Sequence, residues 1–269
     1  MKQWVIALGA MWVGAAAYGQ TTPAPAPPTI SLSAPVASSS TAVARPGPGA
    51  PIPTTKPDNA RYVADPNLLA ACQADLDAFK DKPCNVIFIG GTAASGWRGA
   101  GHAIWQKYYE PRQALNFSVA GDTIQNVLWR LNNMELSNLH PKVAVILIGA
   151  SNTGNTAHEI ADGIKAVIAN TQAVFSNVKI LLVSIVPNGR DHDKMLPVNS
   201  IIRNYADDSS IFFINLVPRM PLTAITNADG TTGMGYMGIG ADGVMPNATG
   251  YQIWADAMEP VMTKLVPDH

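Results

Sequence analysis

"NVIFIGGTAASGWRGAG" (residues 85–101) decides how the rest of the chain is read. Val86-Ile87-Phe88-Ile89 is a continuous apolar run, and Gly90-Gly91 breaks it. Thr92 places a hydroxyl immediately past the break, and Trp97 follows. A buried strand that runs into a tight glycine turn with a hydroxyl at its tip is one way a fold presents a nucleophile. Here the hydroxyl is a threonine's, and the residue before it is a glycine.

Runs of the same kind recur outward from this stretch, at 85–90, 113–119, 142–149, 178–186 and 210–217. Their starts lie roughly 30 residues apart, the length of a strand plus a crossover helix. "VAVILIG" (143–149) and "ILLVSIV" (180–186) are apolar at almost every position. Such strands are buried on both faces, hence parallel. Between them, Thr156 with Glu159 forms a capping box, and Ile160, Ile164, Val167 and Ile168 make one helical stripe. Ile124, Val127, Leu128 and Leu131 repeat at the same spacing, and a last helix over about 248–265 carries Trp254, Met258, Val261 and Leu265, with a kink expected at Pro260. The pattern predicts an α/β fold: a three-layer α/β/α sandwich around a five-stranded parallel sheet. Ligand sites of such sheets lie beyond the carboxyl ends of the strands. The loops to inspect start near Gly90, Ala120, Gly149, Pro187 and Pro218.

The chain ahead of this pattern is different material. Lys2 precedes an apolar run from Trp4 to Ala17, and Ala17-Tyr18-Gly19 is a small-x-small cleavage pattern. Residues 1–19 therefore read as a secretory signal peptide, with an uncleaved membrane anchor as the alternative. No cysteine follows the run, so a lipoprotein site is absent from it. Residues 20–60 hold ten of the 21 prolines, with Ala, Ser and Thr between them. Such a segment buries too little apolar surface to offset its ordering entropy and reads as a disordered linker. Residues 61–269 are the expected domain, and the expected location is secreted or periplasmic.

With 18 Lys+Arg against 19 Asp+Glu, the chain offers no electrostatic case for nucleic acid or an anionic membrane surface. No stable membrane insertion is expected after leader cleavage. No Cys/His cluster has metal-ligand spacing, and no cofactor is expected. Cys72 and Cys84 are either a disulfide, which an exported protein permits, or two buried thiols.

Four blocks of the sequence resemble, in order, those of the SGNH or GDSL hydrolase superfamily: "VIFIGGTAASGW" (86–97), "ALNFSVAGDTIQNVLWRL" (114–131), "PKVAVILIGASNTGNTAHEIADGIKAVI" (141–168) and "DGVMPNATGYQIWADAMEP" (242–260). The likeness covers about residues 61–269 and is to platelet-activating-factor acetylhydrolase catalytic subunits and bacterial acetyl esterases. The resemblance implies a flavodoxin-like fold and ester hydrolysis. It also implies a serine nucleophile in the first block, and an Asp-x-x-His in the last that orients and supplies the base. It implies, further, an oxyanion hole made by the serine amide, a second-block glycine and a third-block asparagine.

Carried over by position, the glycine is Gly121, the asparagine Asn152 and the aspartate Asp242. The nucleophile position holds Thr92 and the base position holds Met245. The aspartate expected before the nucleophile is Gly91. A thioether has no useful basicity, and a hydroxyl without a base is a poor nucleophile. Loss of one triad member can cost on the order of a million-fold in turnover. His192, flanked by Asp191 and Asp193, is the nominated substitute base; a solvated loop histidine is the plainer reading. Ser95 and Ser151 are alternative hydroxyls without an evident base. The retained residues also have structural explanations: a tight turn for Gly121, a cap for Asn152, an Asp-Gly turn for Asp242.

Three functions follow. The leading one is an exported pseudo-esterase that binds an ester, acetylated carbohydrate or carboxylate without cleaving it. The others are an acetyl esterase with a triad rebuilt around Thr92, and a non-catalytic extracytoplasmic scaffold. The sequence leaves the oligomeric state open.

Overall fold

The computed structural model describes residues 53–186, 192–226 and 229–267. The expected leader and residues 20–52 of the expected linker lie outside them. The first half of the domain runs α1 (Ala60–Ala64), α2 (Pro66–Asp77), β1 (Val86–Gly90), α3 (Thr92–Ser95), α4 (His102–Tyr108), β2 (Ala114–Asn116) and α5 (Ile124–Asn133). The second half runs β3 (Val143–Leu147), α6 (Ala157–Val174), β4 (Lys179–Val183), α7 (His192–Ile202), β5 (Ile211–Ile214), β6 (Leu222–Thr226), β7 (Thr232–Tyr236) and α8 (Ala248–Leu265).

The five-stranded sheet is parallel throughout, in the order β2-β1-β3-β4-β5. All five expected strands are present inside their expected runs. Successive side chains on a strand point to opposite faces, and the core divides accordingly. Ile87, Ile89, Ala144, Ile146, Ile180 and Leu182 share one cluster with residues of α5, α6 and α7. Val86, Phe88, Val143, Val145, Leu181 and Val183 share the other with Trp97, Trp105, Tyr251 and Trp254. Both faces are covered by helices, which is why these strands read as continuous apolar runs. Trp97 and Trp105 are core residues, their ring centroids 6.0 and 4.9 Å from that of Phe88. The helix α8 has the expected bounds and continues through Pro260.

This strand order reverses direction between β1 and β3. A crevice forms there at the carboxyl ends of the strands, because the flanking connections leave to opposite sides. The turn after β1 and the loop after β3 open into it.

Packing begins earlier than residue 61. The Thr54 hydroxyl donates to Glu159 O at 2.5 Å, and Thr54 is 3% exposed. The Asp58 amide donates to Gln125 O, and Asn126 Nδ2 donates to Asp58 O. The chain just before α1 is thus laid on α5 and α6. The antiparallel hairpin β6–β7 was not expected: "TTGMGYMGIG" (231–240) is glycine- and hydroxyl-rich and lacks the alternation of a strand. Among the described residues no helix is long and apolar enough to cross a membrane. Both cysteines are free and buried.

Candidate active site

Gly90 ends β1, and the chain turns at Gly91 directly into α3, whose first residue is Thr92. The turn is held from below: the Gly91 amide donates to Leu147 O, at the end of the neighbouring strand β3. The Ser95 hydroxyl donates to Thr92 O at 2.8 Å. That is a local helical bond, so Ser95 is spent on the turn itself.

The second loop approaches from β2. Gly121 has φ +81°, a conformation that favours glycine, and its amide donates to the Thr92 hydroxyl at 2.8 Å. The structure therefore joins two of the residues named from the sequence. Four carbonyls at the end of β2 and along this loop are taken by guanidinium groups. Arg98 takes Asn116 O and, at 2.8 Å, Ser118 O. Arg130 takes Phe117 O at 2.7 Å, and Arg61 takes Ala120 O at 2.5 Å. Arg61 also lies against the α-carbon of Gly121: a β-carbon there would stand 3.0 Å from Nη2.

Below Gly121 the Asp122 carboxylate is fully buried. Its Oδ1 is 2.7 Å from Arg61 Nη1; its Oδ2 accepts from Tyr62 Oη at 2.7 Å and Arg130 Nε at 3.0 Å, with Arg130 Nη2 2.9 Å away. A buried carboxylate is tolerated when paired and hydrogen-bonded in this way. Burial pushes the Tyr62 phenol well above its ordinary value, so it stays a donor.

Asn152, from the loop after β3, is 3% exposed. Its Oδ1 accepts from the Ile124 amide at 3.0 Å, which fixes the other end as the nitrogen. That nitrogen donates to Gln125 Oε1 at 2.8 Å and to Asn155 Oδ1 at 3.3 Å. Both of its hydrogens are engaged inside the protein. The sequence placed Asn152 among the donors at the turn; the structure aims its amide at Gln125.

The last block forms a turn just ahead of α8. Asp242 is exposed, and its Oδ1 accepts from the amides of Val244 and Met245 at 2.9 and 3.0 Å. This is the Asp-Gly turn foreseen from the residues. The Met245 carbonyl accepts from the Gly240 amide at 2.7 Å, tying the turn to the segment that follows β7. The Met245 methyl reaches the far end of Thr92's helical turn: a β-carbon on Gly96 would stand 3.0 Å from it. Tyr251 Oη donates to Ala93 O at 2.7 Å and fastens α8 to the same turn. His102, His140 and His158 are exposed, on α4, before β3 and on α6. The side chain of His192, with residues 187–191 before it, lies outside the described residues.

Arg61, Gln125 and Tyr251 were missed from the sequence. Arg61 precedes the first strand by 25 positions, so no local pattern ties it to Gly121. Gln125 shows a signal only in hindsight, as a polar side chain within an otherwise apolar helical face.

A strand–turn–helix with a hydroxyl at its tip, met by a glycine amide from the second loop and an Asp-x-x-x turn before the last helix, is an acylhydrolase layout. The sequence model of the GDSL-like lipase/acylhydrolase family matches residues 86–253. The chain belongs to that family. Over 150 residues it is 32% identical to the alpha2 subunit of platelet-activating factor acetylhydrolase IB from Gallus gallus, covering 56% of this chain and 62% of that one. It is 34% identical over 160 residues to the alpha1 subunit from Homo sapiens, covering 58% and 68%. The chain thus matches about three fifths of the first relative's length. Among solved structures, a GDSL-like lipase from Bacteroides thetaiotaomicron superposes with a TM-score of 0.56 at 18% identity, covering 74% of this chain and 98% of that one. A carbohydrate esterase family 3 protein from Talaromyces cellulolyticus superposes with a TM-score of 0.50 at 15% identity, covering 69% and 99%. These superpositions establish the SGNH-type α/β/α fold.

Proposed function

We propose that this chain is an exported pseudo-esterase, a GDSL-fold protein that binds an ester, an acetylated carbohydrate or a carboxylate and turns it over at most very slowly. One observation carries the reading. The position of the base holds Met245, whose methyl packs toward Gly96, and the Thr92 hydroxyl is itself bonded to the Gly121 amide. A thioether accepts no proton from Thr92 at neutral pH, and an oxyanion corner alone leaves roughly a thousand-fold over water. The acetylhydrolase relatives support an acyl group as the ligand class, and the leader-like first 19 residues support an extracytoplasmic place of action.

Hydrolysis of p-nitrophenyl acetate tests it, using the full chain beside the double variant Thr92→Ser, Met245→His. A silent parent and an active double variant would support a complete pocket that lacks only its nucleophile and base. Turnover by the parent that is abolished in Thr92→Ala would overturn the proposal in favour of a triad rebuilt around Thr92.

A further inference from the structure

Residues 54–62 run from α6 to the loop that carries Gly121 and touch α5 on the way. Thr54 is seated first, with its hydroxyl on Glu159 O and almost none of its surface exposed. The seat is a notch at Gly163: a β-carbon there would stand 2.7 Å from the Thr54 β-carbon, so the close approach depends on a glycine. Asp58 comes next. Its amide donates to Gln125 O at 3.1 Å, and its carbonyl accepts from Asn126 Nδ2 at 3.0 Å. Both partners stand in the first turn of α5, and Gln125 is the residue whose side chain takes the Asn152 amide. Arg61 and Tyr62 finish the run. Arg61 holds Ala120 O and Asp122 Oδ1, and Tyr62 Oη donates to Asp122 Oδ2. Gly121 lies between those two anchors, with its own amide on the Thr92 hydroxyl.

The run has little slack. The Lys56 amide donates to Pro53 O, and the amides of Tyr62 and Val63 both donate to Asn59 O. Between the first turn and Asp58 stands only Pro57, whose φ is fixed by its ring. A displacement at Thr54 is therefore passed along to Arg61. The run is also lightly held. From residue 55 to residue 61 every side chain is exposed or half-buried, so hydrogen bonds carry the contact and little apolar area does. A segment of this kind opens at a lower free energy than the core.

We infer that residues 54–62 are a strap whose seating controls the corner at Thr92. Docked, the strap fixes Gly121 against Thr92 and Gln125 against Asn152. Released, it frees both donors. Its meaning as a control on binding rests on the reading of that corner as the ligand site; the coupling of strap and corner does not.

Native-state hydrogen exchange of the full chain, followed by NMR across sub-denaturing urea, tests this. The Asp58 amide reports on the strap, the Gly121 amide on its bond to Thr92, and the Ile124 amide on its bond to Asn152 Oδ1. Ile146, inside β3, reports on the core. The expected result is one opening curve shared by the first three amides and lying below that of Ile146. Thr54→Arg, too large for the notch, should speed exchange of all three by about fivefold, the worth of one hydrogen bond, and leave Ile146 unchanged. A separate curve for Asp58, opening ahead of Gly121, would overturn the coupling. So would a Thr54→Arg effect confined to Asp58, or one spread evenly to Ile146. Exchange is read without ligand or turnover, so such a failure leaves the ligand-binding reading standing, and a chain that binds no ester or carboxylate would still show the shared curve.

Discussion

The Gly121 amide donates its hydrogen bond to the hydroxyl of Thr92 over 2.8 Å. A donor from the second loop is thereby closed on the residue at the nucleophile position, and a ligand oxygen entering this corner has to compete for it. Asn152 is closed off in a parallel way by Gln125 and Asn155. The corner has the layout of an acylhydrolase site, with its donors turned toward the protein's own side chains.

On the proposed reading, supplying a serine and a histidine at positions 92 and 245 should give chemistry. Thr92→Ser with Met245→His is expected to raise the kcat for p-nitrophenyl acetate by at least about a hundred-fold over the parent, since base and nucleophile act as a unit. Either single change should give little. Stopped or steady-state release of p-nitrophenol measures it, and equal rates in singles and double would show that Asp242 does not orient the new histidine.

Gln125 should hold that restored enzyme back. In the double variant, Gln125→Ala releases the Asn152 amide, and one recovered oxyanion donor is worth on the order of ten- to a hundred-fold in kcat, with KM nearly constant. A change confined to KM would place Asn152 in substrate binding instead.

The buried carboxylate should dominate local stability. Asp122→Asn leaves Arg130 buried without its counter-charge and is expected to cost about 3–5 kcal/mol. Arg61→Ala removes the half-exposed partner while Arg130 and Tyr62 stay in place, and should cost about 1–2 kcal/mol. Urea midpoints of the two variants give the comparison; a larger loss from Arg61→Ala would mean that its hold on Ala120 and Gly121 matters more than the charge pair.

Alkaline pH should unfold the domain. Burial pushes the Cys84 thiol from 9.0 up to about 12 and raises the phenols of Tyr62, Tyr109 and Tyr251 above 10.0. Each group is held neutral in the fold, so its contribution is complete below the ordinary value and is lost as pH rises past it. The unfolded chain releases these protons first. Stability should therefore fall from about pH 9 upward, by about 1.4 kcal/mol per pH unit for each group whose unfolded form has ionised. Denaturant midpoints between pH 8 and 11 check the slope. Tyr251→Phe, which also loses the bond to Ala93 O, should make the decline above pH 10 shallower.

The sheet was legible because burial on both faces forces continuous apolar runs, and β1, β3 and β4 carry such runs in register. Thr156–Glu159 marked the start of α6 for a reason equally local, the satisfaction of orphan amides at a helix end. The turns at Thr92 and Asp242 were legible as well, since glycine and aspartate act within a few residues of themselves. The hairpin β6–β7 escaped because half-exposed strands rich in glycine lose their alternation.

Sequence alone thus determined the fold class and the family blocks, and it set Thr92 and Met245 at the positions on which the proposed reading rests, since all of these are local or periodic properties of the chain. Only the tertiary structure decided where the donors point. Arg61 reaches Gly121 and Asp122 across some 60 positions of chain, and Asn152 turns to Gln125 across 27. Such pairings arise because a buried polar group must find whatever partner the packed fold brings near it, and that choice is made in space, with no trace in the spacing of residues.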